Sequence, residues 1–178
     1  MGLLNSENDL LEWIRRTFIP PLGMLVSAYN ESTGSKLYVQ GPTTDNQFVG
    51  RVKMGEEDFE AELEEMGFER NPLASLKHLI GTREKEEGSF RWLAPEDSEY
   101  RKDYQLHVIL YDGSVIPDAE TGETYVYAHW EYRWDVAPMK HYRAVNWKPV
   151  QGVQMMQTML TENGIDYDYQ LPPTKDNE

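Results

Sequence analysis

The segment Glu123–Trp134 constrains this chain more than any other. It reads Glu-Thr-Tyr-Val-Tyr-Ala-His-Trp-Glu-Tyr-Arg-Trp, rich in aromatic residues and free of glycine and proline. Such a run is a β-strand signature. Successive side chains on a strand point to opposite faces. Tyr125, Tyr127, His129, Glu131 and Arg133 therefore share one face, and Val126, Ala128, Trp130, Tyr132 and Trp134 the other. The second set suits a core. The first has the composition of a solvated face, on which Glu131 and Arg133 would form an ordinary surface ion pair. Tyr104–Tyr111 alternates in the same way and is the natural neighbour across the turn region 112–122.

The remaining elements follow from periodicity and punctuation. Ser6–Thr17 reads as a helix, with Leu10, Leu11, Ile14 and Phe18 as its stripe and Pro20-Pro21 as its stop. Gly23–Tyr29 and Lys36–Gln40 are expected to form a hairpin around Asn30–Gly34, followed by a strand at Phe48–Lys53. Phe59, Leu63 and Met66 mark a helix over Glu56–Glu65. Leu76–Ile80 and Ser89–Leu93 are short strand candidates around a polar turn at Gly81–Gly88. Pro149–Asn163 is a helix with Val153, Met156 and Leu160 inward, and Ile165–Leu171 is an edge-strand candidate. Strands dominate and most links are short. The expected architecture is α+β, a mainly antiparallel sheet with about three helices packed on one face. Residues 1–171 are expected to form one domain, with 95–103 as the candidate internal boundary and 172–178 as a disordered tail.

Charge narrows the function. The 178 residues hold 31 acids and 17 bases, a formal net of −14, and no cysteine. The missing cysteine excludes disulfides, thiolate nucleophiles and Cys-containing zinc sites. A chain this acidic repels nucleic-acid backbone, so generalised nucleic-acid binding is not expected. The charge is uneven. Residues 1–53 are neutral, with five acids and five bases, whereas Glu56–Glu65 holds seven acids and no base, half of the total. High acidity with eight lysines and no cysteine resembles, in composition alone, the proteins of salt-loving archaea, which hold their hydration shell with carboxylates. That resemblance implies a high-salt setting. No secretory signal or membrane-spanning run is visible, so a cytoplasmic location and no membrane partner are expected. Met1–Ser6 formally fits an N-myristoylation pattern, and Ser6 with Asp9 equally fits a helix N-cap.

Two constellations carry chemistry. On the polar face of the strongest strand, His129, Glu131 and Arg133 repeat at roughly 7 Å, and His107 lies on the expected neighbouring strand. Two imidazoles and a carboxylate are acid–base groups, and an arginine beside them would stabilise an anionic transition state. With His141 bridging, the set also has the donor types of a metal site. The spacing is too common to assign one, and no metal or cofactor is expected. The second constellation is the connection 133–148. It has four bases to one acid, with Trp134, Tyr142 and Trp147 interleaved. Bases beside aromatic rings bind anions and stack on planar groups.

The leading expectation is a non-enzymatic binding or regulatory domain. It would engage an anionic small molecule or an acidic protein partner through Trp134, Lys140, His141, Tyr142, Arg143, Trp147 and Lys148. One alternative is a small hydrolase or nuclease using His107, His129, Glu131 and Arg133. Another is an acidic mimic of nucleic-acid phosphate. The bland account of both charged segments is an internal pairing of Glu56–Glu65 with bases of 133–148. No nucleotide-binding glycine loop, H-E-x-x-H, EF-hand loop or nucleophile elbow occurs.

Overall fold

The computed structural model describes residues 7–71, 76–78, 88–116, 119, 121–169 and 171. The expectations for Met1–Ser6, for the turn over 81–87 and for the tail 172–178 lie outside them. The protein is α+β, built on a six-stranded antiparallel sheet. In chain order the elements are α1 (Glu7–Thr33), β1 (Gln40–Pro42), β2 (Phe48–Val52), α2 (Glu56–Glu65), β3 (Glu69–Arg70), β4 (Leu76–His78), β5 (Gly88–Leu93), β6 (Tyr104–Asp112), β7 (Thr124–Tyr132), α3 (Pro138–His141), α4 (Pro149–Glu162) and β8 (Tyr167–Asp168). The sheet runs β3-β5-β6-β7-β2-β8, and β1 pairs separately, in parallel, with β4. Residues 94–103 link β5 to its neighbour β6.

The alternation of β7 sorts side chains as the sequence predicts. Val126, Ala128 and Trp130 join Leu106, Val108 and Leu110 of β6 on one face, under Phe59 and Leu63 of α2 and Met156 and Leu160 of α4. The opposite face is not solvated. Every residue of β7 is buried. Phe48, Ile109, Tyr111, Ile116, Tyr125 and Tyr127 form a second, aromatic cluster there. Strands covered on both sides force their polar residues to find partners within the protein.

The N-terminal third departs from expectation. Pro20 and Pro21 do not end the first helix, and Gly23–Tyr29 is not a strand; α1 runs through both prolines to Thr33. The prolines forgo two backbone hydrogen bonds. Leu22, Met24, Leu25 and Ala28 then restore good helix propensity, with Val26 the one β-branched residue of that turn. Asn30 does not form a hairpin turn. Its side chain exchanges hydrogen bonds with the backbone of Leu37, at 2.9 and 3.1 Å. Gly34, at φ +69°, closes the helix by donating its N–H to the Asn30 carbonyl. α1 lies beside β1 and β4.

Candidate functional site

The β6–β7 register sets His107 opposite His129 and Gln105 opposite Glu131. All four side chains point to the aromatic-cluster face, beyond the end of that cluster. Residues 138–148 fold over them. Their exit is fixed where Lys148 and Trp130 exchange backbone hydrogen bonds of 2.9 and 3.1 Å. Their start is fixed where His141 Nδ1 donates to the Tyr132 carbonyl at 2.9 Å. Ala144 and Asn146, at φ +49° and +52°, wind the turn between. Left-handed backbone at a non-glycine residue is strained, and such strain gathers at functional sites.

Glu131 is the centre of this arrangement. One carboxylate oxygen lies 3.2 Å from His107 Nδ1 and accepts from Gln105 Nε2 at 3.1 Å. The other lies 3.1 Å from His129 Nε2 and 3.4 Å from His141 Nδ1. His107 and His129 are each 1 % exposed, His141 5 % and Glu131 7 %. Glu131 and His141 open into a cavity of about 270 Å³ also lined by Tyr38, Pro42, Lys77 and Trp147. The second nitrogen of His141, Nε2, is buried and has no hydrogen-bond partner among the described residues.

Proton positions follow from the outer contacts. The Thr44 backbone N–H donates to Gln47 Oε1 at 2.8 Å, which leaves Gln47 Nε2 as the group facing His129 Nδ1, also at 2.8 Å. His129 Nδ1 is therefore an acceptor, and neutral His129 carries its proton on Nε2. His107 Nε2 meets the Ser89 hydroxyl at 2.9 Å, a partner that serves either tautomer. Burial pushes His107 down to about 3, against the upward pull of Glu131. Burial likewise lowers His129. Burial alone would raise Glu131; the surrounding imidazoles and their hydrogen bonds overcome it and hold the carboxyl well below its usual range. Hydrogen bonds from His107 and His129 thus favour the ionised form of Glu131, while burial favours the neutral forms of His107 and His129.

Not every predicted residue joins. Arg133 turns away and grips Asp135 through two bonds of 3.0 and 2.6 Å. The expected Glu131–Arg133 surface pair is thus replaced by two separate clusters. Trp134 bonds Asn71 Oδ1 at 2.9 Å and stacks under Arg91, away from the cavity. Lys140 lies over the Tyr132 ring and Lys148 over the Tyr104 ring. Tyr142 packs edge-on against His141, and its carbonyl accepts from the Tyr38 N–H. Arg143 is exposed. The expected pairing of the acidic helix with 133–148 does not form among the described residues; Glu60 of α2 pairs with Arg70 instead. Burial first, then a hydrogen bond that the protonated carboxyl donates to Glu56, pushes Glu60 up to about 8, with Arg70 pulling the other way.

Gln47, Ser89, Gln105 and Lys77 escaped the sequence-based reading. Gln105 was within reach, because aligning β6 with β7 through the two histidines places it opposite Glu131. Gln47 and Ser89 enter from other elements, and nothing in their local sequence marks them. No protein-family model, curated protein or solved structure matches the chain.

Proposed function

We propose that this chain is a divalent-metal-binding domain, with His107 Nδ1, His129 Nε2 and the Glu131 carboxylate as the protein ligands. One observation carries the proposal. The three side chains form a triangle in which the two nitrogens stand 3.2 Å apart and each faces its own Glu131 oxygen, His107 at 3.2 Å and His129 at 3.1 Å. Two ligands, each about 2.1 Å from a metal and roughly 90–110° apart, stand about 3.0–3.4 Å from each other. Protons alone satisfy the triangle poorly. With His129 protonated on Nε2, a proton on His107 Nδ1 suits Glu131 but faces another N–H donor. Without that proton, a lone pair faces the carboxylate. A cation at the centre satisfies all three contacts, and it neutralises a buried anion that is otherwise costly. The nitrogen and carboxylate donors suit first-row divalent ions such as manganese, iron, cobalt or zinc.

The acid–base hydrolase reading has less support. A general acid or base works best with a pKa near the operating pH. Here both imidazoles are pushed down and the carboxyl is held low, while Arg133 is committed to Asp135. The anion-binding reading also weakens as a single site, because Trp134 lies away from Lys140 and Lys148. Calorimetric titration of chelator-treated protein with Co²⁺ and Zn²⁺ tests the metal proposal. We expect one ion per chain, loss of that binding in Glu131→Gln, and a raised melting temperature only in the parent. Equal binding by parent and Glu131→Gln, with circular dichroism showing both folded, would refute it.

A further inference from the structure

α1 holds a 14-residue run without charge, Thr17–Asn30, in a chain in which 27 % of residues are charged. The side facing the body is narrow. Gly23 is buried, Val26 and Asn30 are half-buried, and Gly23 and Val26 help line a groove closed by Leu37, Val39 and His78. A second face has no cover among the described residues. Phe18, Leu22, Leu25 and Tyr29 remain 59, 43, 68 and 52 % exposed. Their spacing is i, i+4, i+7, i+11, which at about 100° per residue confines them to an arc of about 60°. Trp13, 52 % exposed, reaches the Phe18 ring edge-on at 6.5 Å between centroids, but its position five residues earlier sets it off the stripe.

This spacing is an a/d seam two heptads long, narrower than the face a helix turns toward a globular core. Among the described side chains of Thr17–Thr33 few are buried, so this part of the helix has little of the tertiary packing that normally holds helices together in water. We infer that α1 is a self-association surface, on which a second copy of this chain packs its own α1 stripe across a two-fold axis. Two arguments select a second copy. The first is area. The four side chains of the stripe expose roughly 500 Å² per copy, so a symmetric pair buries roughly 1,000 Å² in total, about the least a specific interface needs. The second is charge. Two chains at −14 repel each other, and α1 offers them an uncharged meeting surface that an isologous contact uses twice. A membrane surface fits less well, because helices that lie on membranes carry basic polar faces and this chain is acidic.

Analytical ultracentrifugation of the full chain over a dilution series tests the inference. We expect a monomer–dimer equilibrium in the micromolar range that persists in molar KCl, because salt screens the repulsion and leaves the apolar contact intact. Leu22→Glu/Leu25→Glu should be monomeric at every concentration with its helical circular dichroism retained. A parent that stays monomeric at roughly 100 µM, equivalent to a contact weaker than about 5.5 kcal/mol, overturns the inference without needing the variant. So does a dimer that the double substitution leaves intact. Parent protein that is monomeric in solution but sediments with phosphatidylcholine vesicles, through the same two leucines, overturns it in favour of a membrane surface.

Discussion

At the scale of single residues, the proposed metal site turns on a proton that Gln47 controls. In the arrangement observed, Gln47 Nε2 faces His129 Nδ1, because the Thr44 N–H claims the amide oxygen. A metal on His129 Nε2 moves the proton to Nδ1, which then needs an acceptor. Gln47 supplies one only by turning its amide over and giving up the Thr44 bond. Gln47→Glu removes that conflict, since a carboxylate accepts from both Thr44 and His129. We expect Gln47→Glu to bind Zn²⁺ about 10-fold more tightly than the parent, measured by competition with a chromophoric chelator. Unchanged or weaker binding would mean that His129 Nδ1 is not protonated in the loaded site. His107 needs no such adjustment, because the Ser89 hydroxyl accepts as readily as it donates. These residues also mark where sequence reading stops. His129-x-Glu131 and its partner His107 were legible because a strand has a fixed period and a hairpin partner has a register. Gln47 and Ser89 were not, because their roles depend on which elements fold over the sheet. The burial of the polar face was missed for the same reason: alternation reports that two faces differ, not that one is wet.

At the scale of elements, β7 and α4 were the clearest in the sequence and pack closely against each other. Gly152 of α4 sits so close to β7 that a Cβ there would stand 2.3 Å from His129 Cα and 2.6 Å from the Trp130 backbone nitrogen. Both are main-chain atoms of a strand bonded on both sides, so they cannot give way. Gly152→Ala must lift α4 from the sheet, with a cost of about 3 kcal/mol. For a chain of this length that lowers the melting temperature by roughly 6–12 °C, readable by scanning calorimetry. A shift under a degree would mean that α4 lies farther from β7 than described. The same lift frees the backbone under His129, so Zn²⁺ affinity should fall along with stability. α1 was the element least legible in sequence. Two adjacent prolines ordinarily end a helix, and the reason to continue lies beyond the local run, in the Asn30–Leu37 bonds and the Gly34 cap.

At the scale of the whole molecule, the question is what −14 does to stability. Seven of the 31 acids lie on α2, where Glu57, Asp58, Glu64 and Glu65 are exposed. Acids in the first turn of a helix are favoured by its dipole and acids in the last turn are opposed by it, so Glu64 and Glu65 are the costly pair. Their mutual repulsion is screened once the Debye length, about 10 Å at 0.1 M and about 3 Å at 1 M salt, falls below their spacing. We therefore expect the melting temperature to rise with KCl and to level off by about 1 M. Glu64→Gln/Glu65→Gln should start higher and lose most of the slope. A rise that continues well into molar salt in both proteins would instead indicate carboxylates that bind hydrated ions across the surface, the behaviour of salt-adapted proteins. Glutamate outnumbers aspartate 20 to 11 and half of the net charge lies on one helix. Both favour the screening outcome, since local crowding of like charge is relieved by screening, whereas a hydration shell needs carboxylates spread over the whole surface.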